Sequence, residues 1–264
     1  MAIVFLVLQS GNLERRLSEG ARAAAHPDVD LGAARFPSRA GLEEAFPALT
    51  TPHGWQDPAS RNLYRVAYVH ALEQMDRIQG RHVALARRFA FEPSGGDRFR
   101  WRPPLGCEAR PWSCIYAQVL SDNADSLGPL VDRFAAHFSE AGWTQADAAR
   151  WALAFVQRIP YRIPSEQAFG IQPPSLVVSH DEGDCDSKSL LLMAILERLG
   201  IRSVLAISDA HAHAMVGIAV PAGGDAFVHR GRKYAWAETT ARVPLGRRHG
   251  RLRSPDDWVV VLQR

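Results

Sequence analysis

The feature that most constrains this chain is GDCDSKSLLLMAILERLG, residues 183 to 200. Leu190, Leu191, Leu192, Ile195, Leu196 and Leu199 give the helix that follows Asp184 an apolar face broad enough to predict a central, enclosed position. Gly200 sits where a left-handed end cap belongs. Beyond it the period changes. Val204 to Ile207, His213 to Val220 and Tyr234 to Thr239 read as strands, parted by Ser208-Asp209-Ala210, by the Pro221 to Asp225 turn and by Gly231-Arg232. Short, turn-rich links predict an antiparallel sheet, and a helix followed by such a sheet is α+β rather than doubly wound.

Upstream, Thr144 and Asp147 resemble a capping pair. Ala148, Trp151, Ala152, Phe155, Val156 and Ile159 then recur at helical spacing until Pro160. The stretch RIPSEQAFGIQPPS, rich in breakers, reads as a long connecting loop of the kind that lines a site. Earlier signals are mixed. Leu63, Val66, Ala67, His70, Ala71 and Gln74 fall at helical spacing, while HVALARRFAF and RFRWRP read as a half-buried antiparallel pair around Ser94-Gly95-Gly96-Asp97. The reading divides the 264 residues into a mixed α/β region, 1–138, and an α+β core, 139–264.

Composition excludes several classes. No apolar run approaches the roughly 18 residues a bilayer span needs. The run from Ala2 to Leu8 has no basic segment before it and no small-residue cleavage pattern after it, which predicts a buried first strand rather than an intact signal peptide. A net charge of +3 does not suggest nucleic acid, and the basic cluster Arg242, Arg247, Arg248, Arg251 and Arg253 lacks interleaved aromatics and reads as a solvated face. Of the three cysteines, Cys107 and Cys114 are close enough in sequence to close a small disulfide in an oxidising compartment, or to remain two thiols in a reducing one. The compartment stays open, and Cys185 is the odd thiol.

A thiol on the first turn of a helix feels the positive end of the helix dipole, which favours the thiolate; Asp184 and Asp186 oppose this by repulsion. An imidazolium would offset them. His213 opens one predicted strand and Glu238 lies near the end of the next, so in-register pairing brings the carboxylate to the imidazole and the imidazole toward the thiol. His211 and His213 share a strand face, but no CxxC or HExxH companion accompanies them, and no metal is expected. His211 reads as a rim residue. Trp236 shares a face with Glu238 and reads first as core.

The blocks FVQRIPY (155 to 161), GDCDSKSLLLMAILERLGI (183 to 201), HAMVGIAV (213 to 220) and YAWAETT (234 to 240) are similar to those of the transglutaminase-like cysteine enzyme superfamily, bacterial members above all. The resemblance implies a papain-like core with the nucleophile helix packed on an antiparallel sheet, occupying residues 139–264, with Cys185 as nucleophile, His213 as general base and acid, and Glu238 orienting His213. It implies acyl transfer on a peptide or carboxamide. Water as acceptor gives hydrolysis of the cysteine protease type, an amine gives transamidation, and a decayed site leaves a binding module. The Cys185 amide is one candidate oxyanion donor, with Gln172 and His180 as candidates for a second and Asp184 as a lining residue. No cofactor is implied, and no EF-hand-like loop calls for calcium. The expected partner is a protein or peptide substrate.

Overall fold

The structure is a computed structural model that describes residues 27–35, 48–94, 99–248 and 254–264. The Ala2 to Leu8 run, residues 95–97 of the expected turn, and Arg251 and Arg253 lie outside the described residues. Three strands come first, β1 (Asp28–Arg35), β2 (Ala48–Gln56) and β3 (Leu63–Ala71), in the order β1-β3-β2. β3 runs parallel to β1 and antiparallel to β2. This corrects the helical reading over Leu63 to Ala71; only Gln74 of that set lies in a helix. The period-2 set Tyr64, Val66 and Tyr68 carries the burial, whereas Leu63, counted on the helical stripe, is 44% exposed.

Helix α1 (Leu72–Arg88) follows directly, its start closed by the Ala71 N–H donating to Gln74 Oε1 at 2.7 Å. It takes in most of HVALARRFAF, correcting the strand expected there. Ile78, His82, Leu85 and Ala86 recur at helical spacing on its buried face, and the alternation seen in the sequence carries no burial. β4 (Glu92–Pro93) and β5 (Phe99–Arg100) form a short antiparallel pair. Cys107 and Cys114 are joined in a disulfide, which leaves Cys185 as the free thiol. The second of these cysteines sits in α2 (Pro111–Asn123), a helix absent from the elements expected from sequence.

α3 (Gly128–Glu140) and α4 (Gln145–Arg158) complete the first layer. The expected cap of α4 is present: Thr144 Oγ1 accepts from the Asp147 N–H at 3.2 Å, and Asp147 Oδ2 accepts from the Thr144 N–H at 3.0 Å. Trp151 on α4 is fully buried among Trp55, Tyr64 and Phe134, with ring centroids 4.6, 5.2 and 4.8 Å away. One hydrophobic cluster therefore runs across the 138/139 division, from β2 and β3 into α4 and onward to the Leu-rich helix.

After the long loop come α5 (Pro174–His180) and α6 (Cys185–Arg198), then β6 (Ser203–Ser208), β7 (His213–Ile218), β8 (Ala226–His229), β9 (Arg232–Ala237) and β10 (Val259–Gln263). The sheet is antiparallel throughout, ordered β10-β6-β7-β9-β8, so the expected α+β arrangement holds. α6 is central, as its composition demands: Leu190, Leu191, Leu192, Ile195 and Leu196 are all fully buried, and Gly200 takes φ +69 just past its end. Ala214, Val216 and Ile218 of β7 share its cluster, while Met215 and Trp236 pack on the opposite face with Phe227, Trp258 and Val260. A Cβ on Gly217 would stand 2.6 Å from the Phe227 ring and 2.8 Å from Val204, so glycine there leaves room for that ring against the sheet. Among the described residues no helix is long and apolar enough to cross a membrane.

Candidate active site

Asp184 caps α6. Its Oδ1 accepts from the Ser187 N–H at 3.0 Å and from Ser187 Oγ at 2.5 Å, which fixes the first turn and places Cys185 at the helix N-terminus. The Cys185 residue is 7% exposed. Its Sγ donates to Asp186 Oδ1 at 3.4 Å, and the other oxygen of Asp186 accepts from Tyr116 Oη at 2.6 Å. Burial first, then the charges of Asp186 and Asp184, push the Cys185 thiol well above its ordinary range; the Ala214 backbone opposes them weakly. Asp184 itself is raised to about 6 by burial and by Asp186, against the Ser187 bonds.

His213 and Glu238 meet as the strand pattern predicts. His213 is the first residue of β7 and Glu238 the first beyond β9. Val216 stands across from Ala237 at the end of the ladder, so Glu238, the next residue, emerges beside the start of β7. The His213 ring donates from Nε2 to Glu238 Oε2 at 2.8 Å.

The run Glu238-Thr239-Thr240 at the end of YAWAETT supplies the support for that carboxylate. The Thr240 N–H and Oγ1 both donate to Glu238 Oε1, at 2.8 and 2.7 Å, so each carboxylate oxygen is held. Burial alone would raise the Glu238 carboxyl, but the His213 bond and charge and the Thr240 donors outweigh it and hold the group below the ordinary glutamate value. Lys188, almost fully buried, donates from Nζ to the Ile159 carbonyl at 2.7 Å; burial lowers it to about 8, with the Glu238 charge working in the other direction.

Cys185 and His213 line one cavity of about 310 Å³, together with Asp184, Asp186 and Asp209. Its apolar wall includes Trp112, Tyr116, Tyr161 and Phe169. Among the described residues no hydrogen bond joins the thiol to the ring, and the ring's Nδ1 is the nitrogen left without a carboxylate.

The remaining sequence candidates divide. Asp184 lines the cavity; Gln172, His180, His211 and Trp236 do not. Gln172 is buried beside the helix start, its N–H donating to Ser187 Oγ and its Nε2 to the Glu182 carbonyl, so it braces the turn. His180 is exposed at the end of α5. His211 is tied through Nε2 to Asp257 Oδ2 at 3.0 Å. Trp236 is core, its ring 4.1 Å from that of Phe227 and with the Arg248 guanidinium 4.8 Å above it. Sequence reading missed Trp112 and Tyr116 because the Pro111 helix went unrecognised; their spacing of four, on one helix face, was the available signal. The long loop does supply Ile163, Phe169 and Gly170, with Phe169 held at φ 61.

No protein-family model, curated protein or solved structure matches the chain.

Proposed function

We propose that the protein is a transglutaminase-like thiol hydrolase with a papain-like core, cleaving a peptide or carboxamide through Cys185, His213 and Glu238. The observation that carries this reading is the 2.8 Å His213–Glu238 bond at a cavity that also holds the helix-start thiol. Glu238, using Nε2, leaves Nδ1 of His213 to take the thiol proton. Sulfur then attacks the carbonyl carbon, and the Cys185 backbone amide at the α6 start donates to the developing oxyanion. The imidazolium returns its proton to the leaving nitrogen as the C–N bond breaks. Water, deprotonated by His213, cleaves the thioester and restores the thiol.

A second reading, a non-catalytic binding module, is favoured by one specific observation. The resting thiol is buried, donates to Asp186 and is pushed up rather than down.

Alkylation of Cys185 by iodoacetamide, followed against pH by mass spectrometry, separates the two. For the hydrolase, the rate levels off below the free-thiol pKa of about 8.5, and His213→Ala lowers the neutral-pH rate roughly a hundredfold. A rate that rises only near the free-thiol value, and is unchanged in the variant, assigns the binding module.

A further inference from the structure

A second cavity, of about 470 Å³, lies between the end of β2, the last turns of α4 and residues 242–244. Arg61, Arg158 and Arg242 converge on it and no aspartate or glutamate lines it. Trp55, Val243 and Pro244 contribute to its apolar walls. We propose that this cavity binds a small organic anion, a carboxylate or phosphate carried on an apolar body.

Size and chemistry agree with this occupant. The volume is within the usual range for small-molecule pockets, and such pockets pair apolar walls with a few convergent polar groups. Guanidinium groups suit planar or tetrahedral oxyanions because their forked donors meet two oxygens at once. Arg158 is already paired, its Nη1 donating to Asp181 Oδ2 at 3.3 Å and its Nη2 to Asp181 Oδ1. Arg61 and Arg242 have no ion pair among the described residues, and the Arg242 charge, after burial, helps depress Arg158. The site thus keeps an excess of positive charge that the surrounding fold does not cancel.

The walls are held in place. Arg61 has φ 66, a conformation that costs a non-glycine residue energy, and is fixed by its own N–H donating to the Asp57 carbonyl and by its carbonyl accepting from Gln56 Nε2. Asp57 Oδ2 closes that turn by accepting from the Ser60 N–H and Oγ. On the other wall, Gln157 Nε2 donates to the Val243 and Glu238 carbonyls, at 2.8 Å each. The sequence reading set Arg242 aside as part of a solvated cluster. The structure separates that cluster: Arg248 goes to Asp225 and the Trp236 face, and Arg242 to this cavity.

Isothermal titration calorimetry on the full chain tests the site with phenyl phosphate, benzoate and, as a cationic control, benzylamine. Saturable binding of phenyl phosphate or benzoate is expected, with none of benzylamine. Arg61→Gln and Arg242→Gln should each weaken it about tenfold, and the double variant further. Both arginines are on the surface, and unchanged thermal unfolding of the variants verifies that the fold is intact. The tighter of the two anions names the group. Absence of saturable anion binding by the wild-type chain, or equal affinity in a folded double variant, overturns the proposal.

Discussion

His53 and His213 each hold a carboxylate through one ring nitrogen, yet their surroundings give the two pairs different work. His53, 1% exposed, lies with Nδ1 3.3 Å from Asp181 Oδ1, and Asp181 is shared with Arg158. Its ring meets Phe155 edge-on, and burial, then the Arg158 charge, hold it below the ordinary histidine value despite Asp181. This pair fastens β2 to the chain between α5 and α6. His213 instead stands at the open end of a strand, its partner carboxylate fixed from behind by Thr240, and shares a cavity with a thiol. A histidine–carboxylate pair becomes a candidate for chemistry when its second nitrogen opens on a reactive group, and remains a fastener when an arginine and an aromatic ring close it in.

The largest expected effect breaks the fastener. Arg158→Ala strands a partly buried Asp181 and should cost about 3 kcal/mol, visible as a loss of roughly 6–12 °C in the circular dichroism melting curve. Glu238→Gln, which keeps the Thr240 bonds, should leave that curve within a few degrees while slowing Cys185 alkylation about tenfold at neutral pH. Equal melting losses in both variants would erase the distinction between the pairs.

A smaller effect sharpens it from the thiol side. Asp186→Asn removes a repelling charge beside the sulfur, so the Cys185 pKa should fall by about one unit and alkylation on the rising limb of the pH profile, below its plateau, rise about tenfold, measured by the same mass-spectrometric assay. An unchanged rate would mean that Asp186 does not hold the thiol in its protonated form.

The smallest effect is in the pH dependence of stability. Because the folded state holds His53 below its ordinary 6.5, the unfolded chain takes up that proton first as pH falls. The contribution is whole above about 6.5 and is lost as pH falls through the folded value. His70, His82 and His137 are also lowered, burial being the first cause in each, and act in the same direction. His53→Gln should therefore flatten, without abolishing, the fall in melting temperature between pH 7 and pH 5.

Local signals in the sequence reached furthest where one short segment carries its own instructions. Thr144 and Asp147 predict a cap that forms, Leu190 to Leu199 predict a buried helix, and three alternating segments predict neighbours in an antiparallel sheet. The His213–Glu238 contact was readable for the same reason, since strand adjacency and face alternation bring them together. The reading failed at residues 63–91, where helical and alternating patterns overlap and only the packing partner decides which face is buried. Strands β8 and β10 are short and border the sheet, so their patterns say little alone.

By itself, then, the sequence determined the central helix, its capped thiol and the strand order that pairs a histidine with an acid, because those depend on periodicity and on residues close along the chain. Tertiary structure alone decided which groups surround the thiol and which arginines converge. Trp112 and Phe169 come to Cys185, and Arg61 comes to Arg242, from segments far apart in sequence. The burial and charge that set each group's proton affinity exist only once those segments have packed together.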